Sequence, residues 1–552
     1  EVERAKATLL EQYENMYNNR NKELNNRYVQ EYVRSFTGDE GIPGIEYEYD
    51  FVKKFAPFIN AQAINAVVKQ LIADKNIIIT VTGPEKEGLV YPTTDELLNV
   101  FKKVEAEDIT AYQEAVSNEP LVSQLPKPGS IVKTEADNTL GTTIWTLSNG
   151  MKVVIKKTDF KDDEILMSAH AYGGTSIIPD ADIYNANMAS MVPSVGGIGN
   201  FSSTDLKKVL AGKSANVNNS ISAYTQGFNG SSNMKDLETM LQLTYLYFTA
   251  PRKDEGAYSN IMDLIKNQLK NLTSEPSFIL NINKTKAMYG DNPRMQVMLL
   301  EDAEKLNYDR IIEIYKEIYA NPGSFVFNFV GTVDEAILKP LVEQYLASLP
   351  SGNKDAKYKN VDSNIRKGQV ENVFEQEMKT PKTSAFEMYS GTLNYEQKNQ
   401  IALSALKQIL DIVYVRTVRE EAGGTYGVGV RSWISRIPVG QSVLQMSFDT
   451  DPERVASITP IISREINKIA ENGPEDADFL KVKEYMVKKF QEDEKQNGYW
   501  VGILGSKYFY GEDNHSNYLA LVNSLSKDDI KALTKQLVSQ GNHIEVIMNP
   551  KK

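Results

Sequence analysis

The sequence predicts an α+β fold in which similar domains, each a sheet backed by helices, recur along the chain. A helix–strand segment repeats: Ile64–Lys86 matches Ile530–Lys552 at a constant offset (530 − 64 = 466), and a third copy lies around Ile312–Gly331. Each copy reads as an amphipathic helix, a short turn and a β-branched or aromatic strand. The 552 residues also exceed one core, because a domain usually has about 100–200 residues. Helix followed by strand, repeated at this scale, indicates duplicated α+β domains.

The first segment of the chain, residues 1–115, resembles the end of the last one. A long helical pattern, Glu1–Phe36, stands before the first repeat as Phe479–Tyr510 stands before the last. We therefore expect residues 1–115 to be the C-terminal part of a truncated domain, with its front part missing. The complete version of that domain is predicted at residues 369–552.

The middle of the chain has its own boundaries. Residues 116–140 contain three prolines and little periodicity and are predicted to be a linker. The next domain, 141–350, opens with two alternating segments around Asn149-Gly150, which is the strongest short signal of a β-hairpin. A Pro-Ser-Gly-Asn run at residues 350–353 separates this domain from the last one.

Composition excludes several classes of function. The net charge is −12, from 61 basic and 73 acidic residues, and nucleic-acid binding needs a basic face. An acidic surface favours basic or neutral substrates. No run approaches the roughly 18 uncharged apolar residues of a membrane span. The absence of cysteine excludes disulfides and thiolate metal sites.

The chain offers little for binding a metal. Its three histidines, His170, His515 and His543, are too far apart in sequence to form a helical two-histidine motif. A lone histidine is more often structural or exposed than a metal ligand. We therefore expect no metal site in this chain.

One segment stands out as a candidate for chemistry, at the end of the predicted helix Ile401–Val418. Two glycines follow this helix, and a strand is predicted to begin at Thr425. Glycines allow the positive φ of a tight reversal, which would bring Arg419 close to Tyr426.

An arginine and a tyrosine together supply hydrogen-bond donors for a carbonyl oxygen that gains negative charge. The alternative is purely structural. Arginine favours helix C-termini through the helix dipole, and tyrosine favours strands. Spacing alone leaves both interpretations of Arg419 and Tyr426 open.

Four features together resemble the pitrilysin or insulinase family of inverted zinc peptidases. They are the strand opening at Leu147–Phe160, the glycine-containing segment Gly196–Lys213, the arginine–tyrosine segment Arg419–Tyr426, and the duplicated domain plan. The resemblance covers essentially the whole chain, and the arginine–tyrosine segment is its most specific part.

The resemblance implies duplicated metalloendopeptidase-like domains, each a mixed or antiparallel sheet backed by helices, in two halves. In the family, the first domain binds zinc through H-x-x-E-H, and the last contributes an arginine and a tyrosine that contact the substrate. Carried over, Arg419 and Tyr426 would be these catalytic residues. The place of H-x-x-E-H in the domain 141–350 is taken by Asn187, Ser190 and Met191, which cannot replace two imidazoles and a general base.

The leading hypothesis is therefore the zinc-free, substrate-enclosing half of a zinc endopeptidase acting on peptides or small unfolded proteins. Zinc would lie in a missing N-terminal domain, the partner would be that N-terminal half, and this chain alone would be inactive. The alternative is a metal-free scaffold or partner subunit of the same fold. An unrelated binding module would require the repeats and the motif to be coincidences. Bacterial relatives are often exported, which favours a periplasmic location.

Overall fold

The computed structural model describes residues 1–71, 77–83, 87–108, 110, 119–352, 356–423, 425 and 427–551. The chain forms two compact units, residues 1–120 with 205–213 and residues 121–204 with 214–552. Within the described residues, no helix combines the length and the apolar character that crossing a bilayer requires.

The first unit is helical where it is described. The predicted single helix Glu1–Phe36 is two helices, because the chain leaves the first one at Asn19 and forms a 3₁₀ turn at Arg20–Lys22. The Asn19 amide donates to the carbonyl oxygen of Asn15 at 3.1 Å, and asparagine side chains of this kind compete with helical backbone hydrogen bonds. The helices are α1 Val2–Asn18, α2 Asn25–Gly38, α3 Ile45–Phe55, α4 Ala61–Leu71 and α5 Thr94–Glu105.

The second unit contains two sheets, and the first has seven strands in the order β1-β2-β3-β7-β4-β6-β5. The β3–β7 pair is parallel and the other pairs are antiparallel. The strands are β1 Ile131–Asp137, β2 Thr142–Leu147, β3 Lys152–Lys157, β4 Ile165–Tyr172, β5 Ala215–Ile221, β6 Thr225–Ser232 and β7 Val326–Gly331.

Strand β1 differs from the sequence prediction, which assigned residues 116–140 to a linker. It pairs with β2 at the edge of the sheet, and most of its residues are exposed on both faces. A strand of this kind lacks the apolar alternation that a half-buried strand shows, so the pattern gave no signal. The β2–β3 hairpin formed as predicted, with Gly150 at φ 100° in the turn.

Helices follow β4, β6 and β7 in the chain. In the last long one, Ile311, Ile314, Tyr315 and Ile318 are buried at helical spacing, and Asn307 caps the N-terminus. The helices are α6 Ile183–Met188, α7 Val192–Gly196, α8 Ser203–Val209, α9 Leu237–Thr249, α10 Glu255–Leu272, α11 Pro276–Tyr289, α12 Leu300–Ala303, α13 Tyr308–Ile318 and α14 Glu335–Leu341.

The second sheet has five strands in the order β10-β11-β9-β12-β8, with only the β12–β8 pair parallel. The strands are β8 Gln369–Gln376, β9 Thr383–Thr392, β10 Gly429–Ile434, β11 Gln441–Thr450 and β12 Asn542–Pro550. The helices are α15 Gln397–Tyr414, α16 Val455–Asn472, α17 Asp476–Asp493, α18 Asn497–Leu504, α19 Tyr518–Ser524 and α20 Lys527–Ser539.

The two sheets share one strand order. In the first sheet the strands from β3 onward lie in the order β3-β7-β4-β6-β5, and in the second sheet the order is β8-β12-β9-β11-β10. In both sheets the first and the last of these strands along the chain are neighbours and pair in parallel. The predicted fold class, α+β with mixed sheets backed by helices, is confirmed.

The repeated segment is only partly as predicted. Its second and third copies fold as α13 with β7 and α20 with β12. In the first copy, α4 forms, but the described residues 77–83 have no strand partner and are not a strand. A strand exists only where a neighbour accepts its hydrogen bonds, and the described part of the first unit has no sheet. Residues 72–76 and 84–86 of this copy lie outside the described residues.

Each of the two sheets of the second unit is covered in part by a helix that follows the strands of the other sheet. Helix α18, which follows β11 of the second sheet in the chain, packs on β4 and β7 of the first sheet. Helix α11, which follows β6 of the first sheet, packs on β8 and β12 of the second. In the first contact, Trp500 and Leu504 lie against Val154 and Val330. In the second contact, Ala287 lies in a cluster with residues of the second sheet. Each sheet therefore depends on its neighbour for part of its core.

Two histidines beside α18 predict how stability depends on pH. Burial lowers the pKa of His170, which stacks on Phe509 at 5.7 Å, and burial also lowers the pKa of His515. The histidines of the unfolded chain have the ordinary pKa of about 6.5, so the unfolded chain binds protons at a higher pH than the folded chain does. The contribution of both histidines to the free energy of unfolding is therefore present above pH 6.5 and is lost as the pH falls below it. We expect the free energy of unfolding to fall between about pH 7 and pH 5.

Denaturant titrations at several pH values, with His170→Gln and His515→Gln singly and together, measure this effect. Each variant should flatten the acid slope, and the double variant should flatten it most. Asp513 affects the free energy of unfolding in a separate, more acidic pH range. Burial opposes its ionisation, but hydrogen bonds from Ser516 and His515 outweigh burial and lower its pKa to about 2. An unchanged slope in the double variant would contradict the assignment.

Candidate functional site

Arg419 lies in a widened π-helical turn, Val415–Glu421, that continues α15. Val418 is fully buried one residue earlier and holds this turn against the core. The Thr417 hydroxyl donates to the carbonyl oxygen of Val413 at 2.9 Å. Arg419 itself is exposed, so its guanidinium extends away from a firmly packed helix end.

The chain after this helix is tied down from two sides. Gly423 has a φ of +57°, which favours glycine, and its carbonyl oxygen accepts a hydrogen bond from Arg454 at 2.8 Å. The Thr425 hydroxyl donates to the carbonyl oxygen of Asp449 at 2.6 Å. The sequence predicted a strand from Thr425, but β10 begins at Gly429. Thr425 itself is held by this side-chain bond instead of by a sheet.

A cavity of about 470 Å³ lies beside Arg419, at the end of β11. Its wall carries one tight charge pair, because Lys382 donates to Asp449 at 2.6 Å. Burial opposes ionisation of Asp449, but the bonds from Lys382 and Ser384 outweigh it and lower its pKa. The lining residues are Lys382, Arg419, Gly423, Thr425, Asp449, Thr450 and Asp451.

The two cations of this cavity differ in availability. Lys382 is committed to Asp449, whereas Arg419 makes no hydrogen bond or ion pair with the residues that the structure describes. A planar guanidinium in this state can donate to a carbonyl oxygen, or to both oxygens of a carboxylate through two parallel hydrogen bonds. Tyr426 and Gly424 lie outside the described residues, so the predicted approach of Arg419 and Tyr426 stays a prediction.

Sequence reasoning missed Lys382, Asp449 and Arg454. The register of β9 and β11 brings Asp449 opposite Ser384, although 65 residues separate them. A local pattern cannot reveal such a neighbour, because the pairing depends on the sheet.

The residues at the predicted degenerate motif lie where the helix following β4 is interrupted. Asn187 is exposed on α6, and a 3₁₀ turn at Ala189–Met191 follows. The Ser190 carbonyl oxygen accepts a hydrogen bond from Asn219 at 3.1 Å. None of these side chains is a good metal ligand. Their equivalence to a zinc motif stays a prediction.

The three histidines occupy different surroundings. His170 is on β4, His515 bonds through Nδ1 to the Tyr499 hydroxyl at 2.8 Å, and His543 on β12 lies 3.5 Å from Glu387. Among the described residues, no group of three or more histidine, aspartate or glutamate side chains has the arrangement of a metal site. The described donor set therefore does not fit zinc.

Fold and site together define a duplicated α+β protein with an arginine-lined cavity beside its second sheet. Residues 305–486 match the family described as "Peptidase M16 inactive domain". The chain is 24% identical over 525 residues to "Zinc protease PQQL-like" of Arabidopsis thaliana, covering 91% of this chain and 51% of that protein. It is 20% identical to "Probable zinc protease PqqL" of Haemophilus influenzae, covering 80% and 47%.

Solved structures agree on the fold. The periplasmic protease PqqL of Escherichia coli superposes with a TM-score of 0.69 at 16% identity, covering 99% of this chain and 60% of that one. A peptidase M16 inactive domain from Pseudomonas fluorescens gives 0.62 at 17% identity, covering 74% and 98%.

Residues 305–486 thus match the M16 inactive domain, and most of the chain is similar to proteins named zinc proteases. The resemblance to insulinase-type zinc peptidases is confirmed. The chain spans about half the length of the curated relatives it matches.

Proposed function

We propose that this chain is the zinc-free, substrate-enclosing half of a zinc-dependent endopeptidase that acts on peptides or small unfolded proteins. The observation that carries the proposal is the cavity beside Arg419, where a firmly anchored helix end presents a guanidinium with no described partner. Its position in a homologue of zinc proteases supports a role in binding peptide carbonyls.

In this proposal, Arg419 holds the substrate and Tyr426 donates a hydrogen bond to the oxygen of the scissile carbonyl. That oxygen becomes an anion in the transition state, so both donors bind it more strongly there than in the ground state. The described residues of this chain do not supply a zinc-ligand set, so we assign zinc to the other half of the enzyme.

The partner that we propose is a polypeptide that completes the domain to which residues 1–115 belong. Exposure of the repeated helix supports this. At equivalent positions 466 residues apart, Ile530 and Leu537 on α20 are 0% exposed, whereas Ile64 and Leu71 on α4 are 41% and 78% exposed. An amphipathic helix stays in place only when its apolar face is covered.

This comparison and the shared strand order support the domain scheme that we propose. Residues 1–115 form the end of the second domain, 116–140 connect it onward, 141–350 form the third domain and 369–552 the fourth. Strand β1 adds to the third domain from within the connecting segment.

We further propose an exported, periplasmic location. The support is the E. coli relative of the same fold, which is described as a periplasmic protease. Immunoblotting of osmotic-shock fractions tests this. Recovery with cytoplasmic markers would contradict it.

Metal content gives a direct prediction. We expect the purified chain to contain no stoichiometric zinc, because thiolates are absent and the described donors are scattered. Elemental analysis after dialysis against trace zinc measures the content. About one zinc per chain, lost on replacing any of His170, His515 or His543, would overturn the domain scheme.

Reconstitution tests the function itself. The chain alone should not hydrolyse a quenched fluorescent peptide library. Mixing it with the zinc-bearing N-terminal half, produced separately, should restore hydrolysis that a chelator removes. Arg419→Ala should reduce the restored rate without weakening association of the halves.

A metal-free scaffold subunit is the alternative, and the lack of a described metal-ligand group is the observation that favours it. Stable association of the two halves without hydrolysis of any library peptide would support the scaffold.

A further inference from the structure

One face of the second sheet continues beyond the helix that covers it. Helix α11 packs on β12 and β8 and reaches Phe386 of β9, whereas β11 and β10 lie on the far side of β9. Ser447 of β11 pairs with Phe386 and therefore shares the α11 face. Because side chains alternate along a strand, Gln445 and Asp449 lie on that face too, and so does Arg431 of β10, which pairs with Gln445. We call this part of the face, formed by β10 and β11, the open strip.

The open strip begins at the cavity beside Arg419. Asp449 lines that cavity, and the Ser384 hydroxyl on the same face donates to it at 2.6 Å. Along β10 the strip has no side chain at Gly429, where an added Cβ would meet no atom closer than 3.7 Å, and the space at Gly427 just before β10 is open as well. A polypeptide that enters the cavity therefore has room to continue in an extended form over β10 and β11.

Two cations on the open strip have no carboxylate partner among the described residues. Lys284 projects from α11, and its ammonium lies 4.5 Å from the centre of the Phe386 ring. Arg431 is exposed two residues farther along the strip, and neither side chain makes an ion pair with a described residue. Burial lowers the pKa of Lys284, and the nearby charge of Arg431 lowers it further. The two like charges are therefore close enough to repel each other, and an anion between them would offset that repulsion.

The register of the sheet sets the distance of these cations from the cavity. Counted along β11, the row of Lys284 lies two residues from Asp449 and the row of Arg431 lies four, which is about 7 Å and about 13 Å. The carboxylate of Asp449 itself is paired with Lys382 at 2.6 Å. Although the net charge of −12 favours basic or neutral substrates, selection depends on the charge that a substrate meets at its site, and here that charge is positive.

We propose that Lys284 and Arg431 form a subsite for an acidic side chain of the polypeptide that Arg419 holds, two to four residues from the carbonyl bound at Arg419. The inference rests on the proposed peptidase function and adds a substrate class to it, namely polypeptides with glutamate or aspartate near the cleaved bond. A carboxylate between an ammonium and a guanidinium gains charge-assisted hydrogen bonds from both, and water competes less at the half-buried Lys284.

Fluorescence anisotropy with the purified chain tests the charge selection. The probe is a labelled twelve-residue peptide of serine, threonine and valine with two glutamates at its centre, and the comparison peptides carry glutamine or lysine at those two positions. We expect the glutamate peptide to bind about tenfold more tightly than the glutamine peptide, with a difference that salt reduces. The lysine peptide should bind least. Equal binding of the glutamate and glutamine peptides would overturn the inference.

Substitutions separate this subsite from the contact at Arg419. Lys284→Met with Arg431→Gln should remove the preference for glutamate and leave the glutamine peptide bound as before, since methionine keeps an apolar stem on Phe386. Lys481→Gln is the matched control, because Lys481 is an exposed residue of α17, which packs with α15 on the other face of the sheet, and it should retain the preference. A preference that survives the double variant would overturn the inference.

Arg419→Ala should weaken the glutamate and glutamine peptides alike, because Arg419 binds the backbone that they share. Normal binding of both peptides by this variant, with the preference for glutamate retained, would contradict the proposed role of Arg419 and leave the acidic subsite standing. The failure of the proposed function and the failure of this inference therefore give different results.

The reconstituted enzyme tests the spacing. Products of the glutamate peptide, identified by mass spectrometry, should end two to four residues from the glutamates, and the double variant should lose this spacing. Cleavage at positions unrelated to the glutamates would overturn the inference. Sedimentation of the chain without peptide tests a competing occupant. A dimer that the double variant dissociates would mean that an acidic segment of a second copy fills the subsite, and would also overturn it.

Discussion

Replacing Tyr426 by phenylalanine in the complete enzyme is expected to lower kcat by about 10²–10³, with little change in substrate binding. The loss corresponds to roughly 3–4 kcal/mol, the usual cost of removing one donor to an oxyanion. The phenol hydroxyl helps most when the carbonyl oxygen becomes negative, so the ground state loses little. Steady-state kinetics on a peptide that the reconstituted enzyme cleaves will measure kcat and KM separately.

Arg419→Ala should impair both parameters, because a guanidinium also binds the neutral carbonyl of the bound substrate. Tyr47→Phe, at a position 61% exposed on α3, and Arg464→Ala, at a surface position of α16, are matched controls. Both should leave kcat unchanged. Thermal unfolding of Arg419→Ala should be unaffected, since Arg419 is exposed and contributes little packing. An unaltered kcat for Tyr426→Phe would remove this tyrosine from the proposed mechanism.

Leu504→Ala is expected to destabilise the chain by about 3 kcal/mol. Leu504 on α18 is fully buried in the cluster that joins this helix to the first sheet. Truncating a buried leucine removes its transfer free energy and leaves a cavity, at a cost of about 2–5 kcal/mol. Urea unfolding followed by circular dichroism measures the loss.

The matched control is Leu480→Ala on α17, where the leucine is 56% exposed and the expected change is within about 0.5 kcal/mol. Unfolding of Leu504→Ala should remain a single transition, because both sheets share this cluster. A variant that unfolds the fourth domain first, in a separate transition, would contradict the idea that the two sheets support each other.

Local patterns predicted a large part of this fold. Hydrophobic periodicity located α13 and α20 with the strands that follow them, and Asn149-Gly150 located the hairpin. These signals lie within one element or one turn. The shared strand order of the two sheets follows from the same repeat, so the duplicated plan was also accessible from the sequence.

Features that depend on neighbours were missed. Strand β1 is solvated on both faces and carries no alternation, and residues 77–83 have strand-like composition without a described sheet to join. The candidate site shows the same division. Arg419 could be found from its motif, whereas Lys382 and Asp449 reach the cavity only through the register of β9 and β11.

The exchanged helices α11 and α18 restrict how this protein can move. Sliding or hinging one sheet against the other would withdraw both helices at once and expose two apolar clusters to water. Shear between the two sheets, a motion that packed domains often allow, therefore costs apolar burial at two places here. Access of a polypeptide to the Arg419 cavity therefore has to come without separating these two sheets.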